Sequence, residues 1–326
     1  MSRPWSARGS RTGRATSRAD RDVAGGAGGP GRRGRGMTRI SWFADRDGFT
    51  AAASGLQDAI VRFDRPIAAS SAASGYCTAC GRPSEFEVGQ GGDHPNLRES
   101  LRCRRCGLTT RQRLIHCALA GEAEGRGGAL RGALLEKSTR LYRVAHARWP
   151  WLTGSEFLGA DRVPGRSYWW STHWWRWRRT RHESITSFSY AAQSLDLLVH
   201  SDVLEHVFDT GAALRECARV LRNGGAMLFT VPFAIGNTAS ILRGRLLPDG
   251  SVEHIEPPEY HGDGVRHGGI YTFHTFGWDI VDRLREAGFA RVEIGLCHAP
   301  REGFTASNPG VAQAWMGLPT LFRATR

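Results

Sequence analysis

The sequence predicts an α/β domain that follows a small cysteine-rich module and a basic tail. From about Thr109 onward, apolar runs typical of buried strands alternate with amphipathic segments typical of helices. Two Cys-x-x-Cys pairs precede that region, and a stretch rich in Arg, Gly, Ser and Ala precedes the pairs. We therefore expect four segments: a disordered tail (1–36), a short helical lead-in (37–75), a metal-binding ribbon (76–110) and the α/β domain (111–326).

Composition is consistent with a packed protein. The chain has 326 residues, of which 40% are hydrophobic and 23% are charged, and this balance excludes collagen-like and wholly disordered classes. The longest strongly apolar stretch, Ala226 to Ile235, is shorter than the roughly 20 residues that a membrane-spanning helix needs. The first residues lack the apolar centre of a signal peptide. We expect a cytoplasmic protein.

Taken alone, the net charge of +13 suggests a nucleic-acid partner, but the positions of the basic residues along the chain weaken that inference. Residues 1–36 hold nine Arg and two Asp, and Lys137 is the only lysine among 44 basic residues. An Arg bias that extends over every segment indicates the base composition of the gene rather than a phosphate-binding surface. Two alternatives stay open for the tail: a true start at Met37, and a nucleic-acid-binding arm.

Hydrophobic period and turn residues predict the elements in chain order. The lead-in begins with Ile40–Phe43 and is helical around Phe49–Phe63. Continuous apolar runs predict buried strands. The turn residues Asn223-Gly224-Gly225 end the helix that precedes the strand at Ala226–Phe233. The α/β domain is expected to contain helices at Arg111–Leu119, Thr139–Arg148, Gly211–Leu221 and Phe276–Ala287, and strands at Ala133–Leu135, Leu152–Phe157, Ser194–Ser201, Ala226–Phe233, Arg291–Cys297 and Leu318–Ala324.

The two cysteine pairs predict a structural zinc site. Cys77-x-x-Cys80 and Cys103-x-x-Cys106 are separated by 22 residues, and together they offer the four thiolates of a tetrahedral site. A redox pair is the alternative, but such a pair does not occur twice at this spacing. With all four positions filled by protein, the zinc would not be catalytic. The remaining cysteines are expected to be small core residues: Cys117, Cys217 and Cys297.

Residues 194–233 carry a resemblance to a known family. They contain Leu195-Asp196 at the start of a strand, Val203-Leu204-Glu205-His206-Val207 after it, and Arg219-Val220-Leu221-Arg222-Asn223-Gly224-Gly225 before the next strand. This passage resembles the strand-4 to strand-5 region of class I S-adenosylmethionine-dependent methyltransferases with a type 11 methyltransferase domain. The resemblance implies a Rossmann-like sheet with helices on both faces and S-adenosylmethionine as cofactor. It does not identify the methyl acceptor.

Three further passages resemble a subgroup of that family in which a four-cysteine ribbon precedes the domain. They are Cys106–Arg113, Gly154–Gly159 and Pro257–Asp263. With them the resemblance extends over about residues 76–300.

The resemblance implies where the cofactor would bind. An open parallel sheet binds its ligand at the carboxyl ends of its strands. Glu156 lies 20 residues beyond Glu136, the separation expected for a carboxylate that bonds ribose hydroxyls. Glu136, Ser138 and Thr139 are expected at the amino-acid end of the cofactor, and Ser184 beside Glu183 near adenine. The expected cofactor contacts are Glu136, Ser138, Thr139, Glu156, Phe157, Glu183, Ser184, Ser201, Asp202 and Val203.

The first loop departs from the family pattern. The family has a Gly-rich loop after its first strand, whereas this chain has Lys137-Ser138-Thr139. A domain that has lost catalysis and acts as a silent binding module is therefore one alternative.

The acceptor side is expected after the fifth strand. That segment carries a dense set of polar residues, namely His254, Glu256, Glu259, Tyr260, His261, Asp263, His267 and His274. Such residues suit hydrogen bonding to a polar acceptor and general-base catalysis, or they form a solvated loop with some metal affinity. His261 and His206 are the candidate bases, with a packed structural role as the alternative for His206.

The Trp-rich stretch Tyr168–Trp177 leaves several interpretations open. It could pack on the ribbon or a partner, stack on bases or sugar rings, or contact a membrane. We expect a small-molecule or saccharide hydroxyl as the acceptor. An RNA base is the alternative acceptor, which would make nucleic acid the partner.

Overall fold

The computed structural model describes residues 40–89, 96–127, 129–171, 177–262 and 269–326. These residues belong to one compact unit that spans residues 37–326. The predicted tail, residues 1–36, lies outside the described residues. No helix in the described part of the chain is both long and apolar enough to cross a membrane.

Strands and helices alternate through most of the described chain. The helices are α1 (Arg46–Ser54), α2 (Gln57–Ala68), α3 (Leu97–Ser100), α4 (Thr110–Arg126), α5 (Arg140–Arg148), α6 (Thr210–Val220) and α7 (Ile280–Glu286). The strands are β1 (Ser41–Phe43), β2 (Ala72–Cys77), β3 (Arg82–Val88), β4 (Leu101–Cys103), β5 (Gly132–Leu134), β6 (Leu152–Gly154), β7 (Ser167–Trp170), β8 (Arg178–Arg181), β9 (Leu195–Ser201), β10 (Leu221–Thr230), β11 (Ile241–Leu242), β12 (Gly244–Leu246), β13 (Val252–His254), β14 (Tyr260–His261), β15 (Ile270–Tyr271), β16 (His274–Thr275), β17 (Arg291–Leu296) and β18 (Thr320–Thr325).

A seven-stranded sheet forms the centre, in the order β1-β17-β18-β10-β9-β5-β6. Neighbouring strands from β6 to β10 are parallel, and the pairs β10–β18, β18–β17 and β17–β1 are antiparallel. The carboxyl ends of β5, β6, β9 and β10 therefore meet at one edge of the sheet. This edge positions the residues of the candidate site.

Both faces of the sheet are buried, which explains the continuous apolar runs of β9 and β10. Leu198 and Phe229 belong to one core cluster together with residues of α1, α2, α6 and α7. Leu197 and Leu228 belong to a second cluster together with residues of α4 and α5. The predicted α/β fold with helices on both faces of a Rossmann-like sheet is confirmed.

Several element boundaries differ from the predictions. The second strand was expected to reach Phe157, but β6 ends at Gly154, and Glu156 forms only an isolated parallel bridge with His182. The last helix was expected from Phe276, but α7 begins at Ile280 because Phe276 bridges to Phe233. The predicted turn at 223–225 lies inside β10, where its pairing with β9 is interrupted.

The lead-in and the cysteine module are both tied to other parts of the fold. β1 is an edge strand of the central sheet, and Phe49 of α1 and Ile60 of α2 are fully buried in its core. β2, β3 and β4 form a separate three-stranded antiparallel sheet. The module is thus a small ribbon that leads directly into α4.

Candidate functional site

A cavity of about 760 Å³ lies at the carboxyl edge of the parallel strands. Every residue predicted from the sequence as a cofactor contact or a base lines it: Glu136, Ser138, Thr139, Glu156, Phe157, Glu183, Ser184, Ser201, Asp202, Val203, His206 and His261. The segments that follow β5, β6, β8 and β9, together with β14, bring these side chains together. The sequence analysis missed other residues of the wall, notably Asn96, Arg98, Glu99 and Arg111.

The loop after β5 is compact although it contains no glycine. The Lys137 N–H donates to the Ser155 carbonyl at 3.0 Å, and the Thr139 hydroxyl accepts the Tyr142 N–H to cap α5. The Ser138 N–H donates to Glu156 Oε1 at 2.6 Å. None of these loop residues has a positive φ, so the backbone does not require glycine here.

Glu136 is a buried acid at the floor of this loop. Its side chain is almost fully buried, and its Oε1 makes no hydrogen bond to the described residues. Burial raises the pKa of Glu136 to about 8, an effect that the nearby Arg111 guanidinium partly offsets. A carboxylate in this state would be stabilised by a cationic ligand group.

Glu183 and Ser184 already have hydrogen-bond partners within the protein. The Glu183 carboxylate accepts hydrogen bonds from Arg181 Nε at 2.7 Å and from the Ser189 N–H at 2.9 Å. The Ser184 hydroxyl lies 3.0 Å from the Thr186 hydroxyl. Glu183 therefore already has partners on both oxygens, and the hydroxyl pair is the more open polar group at this wall.

Asp202 binds two arginines of the neighbouring ribbon and α4. Arg98 donates to both of its carboxylate oxygens, at 2.8 and 3.0 Å, and Arg111 Nε lies 3.2 Å from Oδ2. The Thr230 hydroxyl donates to Oδ1 at 2.8 Å. Burial alone would raise the pKa of Asp202, but the guanidinium groups of Arg111 and Arg98 hold it well below its usual range.

These contacts give Asp202 a structural role at the cavity wall, and its predicted contact with the cofactor stays a prediction. Its φ of +51° is rare for a residue with a side chain, and the bonds to the arginines and Thr230 hold it there. Arg111 also donates to both carboxylate oxygens of Glu99, at 2.6 and 3.0 Å, and contacts the Ser201 hydroxyl. Asp202 thus joins the ribbon side of the cavity to the end of β9.

Glu205, His206 and His261 converge at the acceptor side of the cavity. His206 Nε2 lies 3.8 Å from Glu205 Oε1, and His261 Nδ1 lies 3.6 Å from the same oxygen. The second nitrogen of each ring faces an acceptor, the Tyr271 carbonyl at 2.9 Å for His206 and Glu259 Oε1 at 3.1 Å for His261. Burial raises the pKa of Glu205 to about 7, and the Glu205 carboxylate in turn raises the pKa of His261.

The four cysteines of the ribbon form one cluster. Their sulfur atoms lie within 4.8 Å of one another, with Cys77 Sγ 3.7 Å from Cys106 Sγ and Cys80 Sγ 3.9 Å from Cys103 Sγ. Sulfurs held at about 2.3 Å from a tetrahedral zinc are about 3.8 Å apart, so the spacing is compatible with that metal.

Each cysteine pair ends in a turn that glycine permits. The N–H groups of Gly81 and Gly107 donate to the carbonyls of Cys77 and Cys103, at 2.9 and 2.7 Å. Both glycines have a positive φ, of +66° and +68°, which a side chain would strain.

Arg113 anchors this cluster to the domain. It is fully buried and donates to the carbonyls of Leu108 at 2.6 Å and Gly303 at 2.7 Å, and its guanidinium lies 4.6 Å from the centre of the Phe86 ring. Burial lowers the pKa of Arg113 to about 10, and the charge that the nearby cysteines carry as thiolates opposes that fall. The arginine thus offsets negative charge at the cluster.

The other polar residues of the segment after the fifth predicted strand differ in whether they line the cavity. Tyr260 lines the cavity, whereas His254 bonds the Tyr271 hydroxyl and the buried His274 faces the Phe208 carbonyl. Glu256 is exposed and does not line the cavity. Asp263 and His267 lie outside the described residues.

The Trp-rich stretch forms part of a hairpin. β7 and β8 pair through Trp169 and Arg179, and Trp169 and Trp177 are 69% and 61% exposed. Residues 172–176 lie outside the described residues, and with them the middle of the predicted stacking segment.

Comparison with known proteins bears on residues at the centre of this site. A profile of the family described as "Methyltransferase domain" matches residues 145–229. Proteins of two Mycobacterium tuberculosis strains, each named a probable S-adenosylmethionine-dependent methyltransferase, are 30% identical to the chain over 109 residues. The match covers 33% of this chain and 32% of each relative, so the chain spans about a third of the length of the curated relatives it matches.

A solved structure shows a more distant likeness. The S-adenosylmethionine-dependent methyltransferase of Mesorhizobium loti is 16% identical, the alignment covers 61% of this chain and 92% of that one, and the TM-score is 0.36. The sequence matches are thus to methyltransferases and lie within part of this chain, and they identify no acceptor.

Proposed function

We propose that this protein transfers a methyl group from S-adenosylmethionine to a hydroxyl of a small molecule or saccharide. The observation that carries the proposal is the single cavity that collects all twelve residues chosen from the sequence. A cavity at the carboxyl edge of a parallel sheet is the expected ligand site of this architecture.

The residues of the cavity fit the cofactor. Glu136 provides a buried carboxylate with an oxygen that lacks a hydrogen bond, which suits the cationic amino-acid end. Ser138 and Thr139 lie in the same loop. Glu156 is the proposed ribose acceptor, and the partly exposed ring of Phe157 offers a face for adenine, beside Ser184.

Methyl transfer requires mainly that the protein align the acceptor with the cofactor and exclude water. When bound, the cofactor would supply an electrophilic methyl group on a cationic sulfur, the C–S electron pair would stay with sulfur, and the proton of the acceptor hydroxyl would pass to solvent or to a group that lines the cavity. The residues of the cavity align the acceptor and exclude water. His206 and His261 are the proposed groups at the acceptor oxygen, since both line the cavity beyond Ser201 and Val203.

We also propose that the four-cysteine cluster holds a structural Zn²⁺ and that the ribbon helps to shape the cavity. The sulfur spacing supports the first statement. The contacts of Arg98 and Arg111 with Asp202 support the second, because both arginines line the cavity. The division expected from the sequence stays part of this proposal, with a short helical lead-in (37–75) that packs against the central sheet, a ribbon (76–110) and a methyltransferase domain (111–326).

Calorimetric titration of S-adenosylmethionine tests the cofactor site. The zinc-loaded protein should bind the cofactor, and Glu156→Ala should weaken binding about 10- to 100-fold, the cost of losing hydrogen bonds to a charged group. Glu286→Ala, on the exposed side of α7, is the matched control and should leave the affinity unchanged. Absence of binding by the wild-type protein would overturn the proposal in favour of a silent binding module.

A further inference from the structure

Three hydrogen-bond acceptors face one another next to the cavity. Nε2 of His206 and Nδ1 of His261 lie 3.8 and 3.6 Å from Oε1 of Glu205, and the three residues can place one ligand atom each within 4.8 Å of one another. Glu205 is fully buried, and neither of its oxygens makes a hydrogen bond to the described residues. A buried carboxylate that lacks such bonds is costly unless a cation or a proton occupies the space between these atoms.

The outer contacts of the two rings fix which nitrogen faces inward as an acceptor. The Tyr271 carbonyl can only accept, so Nδ1 of His206 must carry a hydrogen, and the lone pair of the neutral ring is on Nε2. The Glu259 carboxylate likewise receives the N–H of His261 Nε2, which leaves the lone pair on Nδ1. Metal-binding histidines are held in this way, with the outer N–H on a carbonyl or a carboxylate.

We propose that Glu205, His206 and His261 bind a divalent first-row transition-metal cation that holds the acceptor hydroxyl in the cavity. Two imidazoles and one carboxylate favour Zn²⁺, Mn²⁺ or a neighbouring ion over Mg²⁺ and Ca²⁺, which prefer oxygen ligands. Ligands at about 2.1 Å from one cation lie about 3–3.5 Å apart, so the distances of 3.8 and 3.6 Å from the two ring nitrogens to the Glu205 oxygen would shorten by roughly half an ångström on binding.

The site leaves room for the acceptor. The side chains of His206 and His261 line the cavity and are 13% and 30% exposed, whereas Glu205 lies behind them. Three protein ligands leave at least one coordination position open, as in catalytic sites. Asp202 is not a fourth ligand, because its oxygens bind Arg98 and Thr230.

The cation would explain how a hydroxyl becomes a nucleophile at neutral pH; this role, unlike the metal site itself, rests on the proposed function. A metal-bound oxygen loses its proton to solvent far more easily than a free hydroxyl does. That oxygen then forms the bond to the methyl carbon while the C–S electron pair returns to sulfur. The acceptor class is thus a hydroxyl compound that can reach a cation beside the end of β9.

Titration with Mn²⁺ tests the site without an acceptor. The full-length protein, loaded with one zinc per chain and freed of excess zinc, is titrated with MnCl₂, and free Mn²⁺ is read from its EPR signal; thiolates select zinc over manganese, so the single zinc stays in the ribbon and the triad is open to Mn²⁺. One Mn²⁺ should bind per chain. Glu205→Gln, His206→Gln and His261→Gln should each weaken binding at least about 10-fold. His254→Gln, an exposed histidine outside the cavity, is the matched control and should bind as wild type does.

Two further readouts separate the outcomes. Zinc content and melting temperature show whether each variant is folded. If a histidine variant unfolds, the result of the isosteric Glu205→Gln variant is decisive. Failure of the wild type to bind Mn²⁺, or equal binding by Glu205→Gln, overturns the metal site and leaves a shared proton between Glu205 and His261. Binding of Mn²⁺ with no binding of S-adenosylmethionine would instead overturn the proposed function and keep the metal site.

Discussion

The molecule contains two groups of potential metal ligands that differ in how the chain builds them. The four cysteines come as two pairs, each with two residues between its ligands, on turns of one small ribbon. Glu205 and His206 follow β9, whereas His261 belongs to β14, 55 positions further along the chain than His206. The first group has four ligands and no open position, and the second has three and faces a cavity.

The comparison shows how ligand spacing relates to predictability. A Cys-x-x-Cys turn defines its geometry locally, because four consecutive residues and a glycine with positive φ place both sulfurs. The second group depends on how the segment after β10 folds back over the end of β9, which no local pattern encodes. Its clearest feature, a fully buried Glu205, exists only in the folded chain.

Helix α4 connects the two regions. Arg111 and Arg113 lie two positions apart on the helix, so their side chains point in different directions. Arg113 faces the carbonyls beside the cysteine cluster, and Arg111 faces Glu99 and Asp202 at the cavity. The passage Cys106–Arg113, noted in the sequence as a subgroup feature, therefore joins the ribbon to the cavity.

Cys103→Ser is expected to have the largest effect. A structural zinc site contributes directly to folding, so loss of one thiolate should release the metal and lower the melting temperature by more than about 10 °C. Zinc analysis together with calorimetric unfolding measures both quantities. Cys117→Ser is the control for thiol loss outside the cluster and should retain its zinc; an unchanged zinc content in Cys103→Ser would exclude the zinc ribbon.

Arg113→Met should have the next largest effect. The substitution removes the buried hydrogen bonds that the guanidinium donates to the Leu108 and Gly303 carbonyls and removes the cation next to the cysteines, at a cost of about 3 kcal/mol in the free energy of unfolding. Urea unfolding measures the change. Arg104→Met, in the same ribbon but with an exposed ion pair to Glu85, should change stability by less than about 1 kcal/mol. Equal stabilities for the two variants would contradict an anchoring role of Arg113.

Glu259→Gln tests the group of Glu205, His206 and His261, which faces the cavity. The amide still accepts the N–H of His261 but without charge, so Mn²⁺ affinity should fall about 10-fold while zinc content stays at one per chain. Glu253→Gln, on the neighbouring strand β13, is the control and should bind Mn²⁺ like the wild type. A selective loss of zinc in Glu259→Gln would show that the two groups are not independent.

Glu136→Gln should have the smallest effect, and the effect should depend on pH. The folded-state pKa of about 8 lies above the ordinary value of 4.5, so the wild-type protein loses stability as the pH rises from about 4.5 to about 8. The variant lacks this loss and should be more stable by about 1 kcal/mol or more at pH 8.5, with no gain near pH 4.5. Melting curves across this range, with Glu286→Gln as control, measure it. A gain in stability that does not vary with pH would contradict the ionisation of buried Glu136 over this pH range.

The variant also probes function. Glu136→Gln should weaken S-adenosylmethionine binding although it stabilises the protein, because the carboxylate that is costly in the free protein is the proposed partner of the cationic cofactor end. Calorimetric titration of the same sample used for the melting curves tests this. Unchanged affinity would remove Glu136 from the cofactor site.

Much of the fold could be predicted because its signals are local or periodic. The apolar runs of β9 and β10 indicated strands buried on both faces, and both strands are central in the sheet. Edge strands and short strands were less predictable: β6 ends early, and beyond it Glu156 bridges to His182. β1 was expected only as the start of a helical lead-in, since three residues carry little periodic signal.

The sequence by itself determined the α/β class, the grouping of the four cysteines and the edge of the sheet at which the polar residues meet. Residue spacing and hydrophobic period suffice for these features, because strand direction and turn geometry follow from them. Only the tertiary structure decided that Asp202 binds Arg98 and Arg111, and that Glu205 faces His206 and His261. Those contacts join segments far apart in the chain, and their chemistry depends on burial, which no single segment controls.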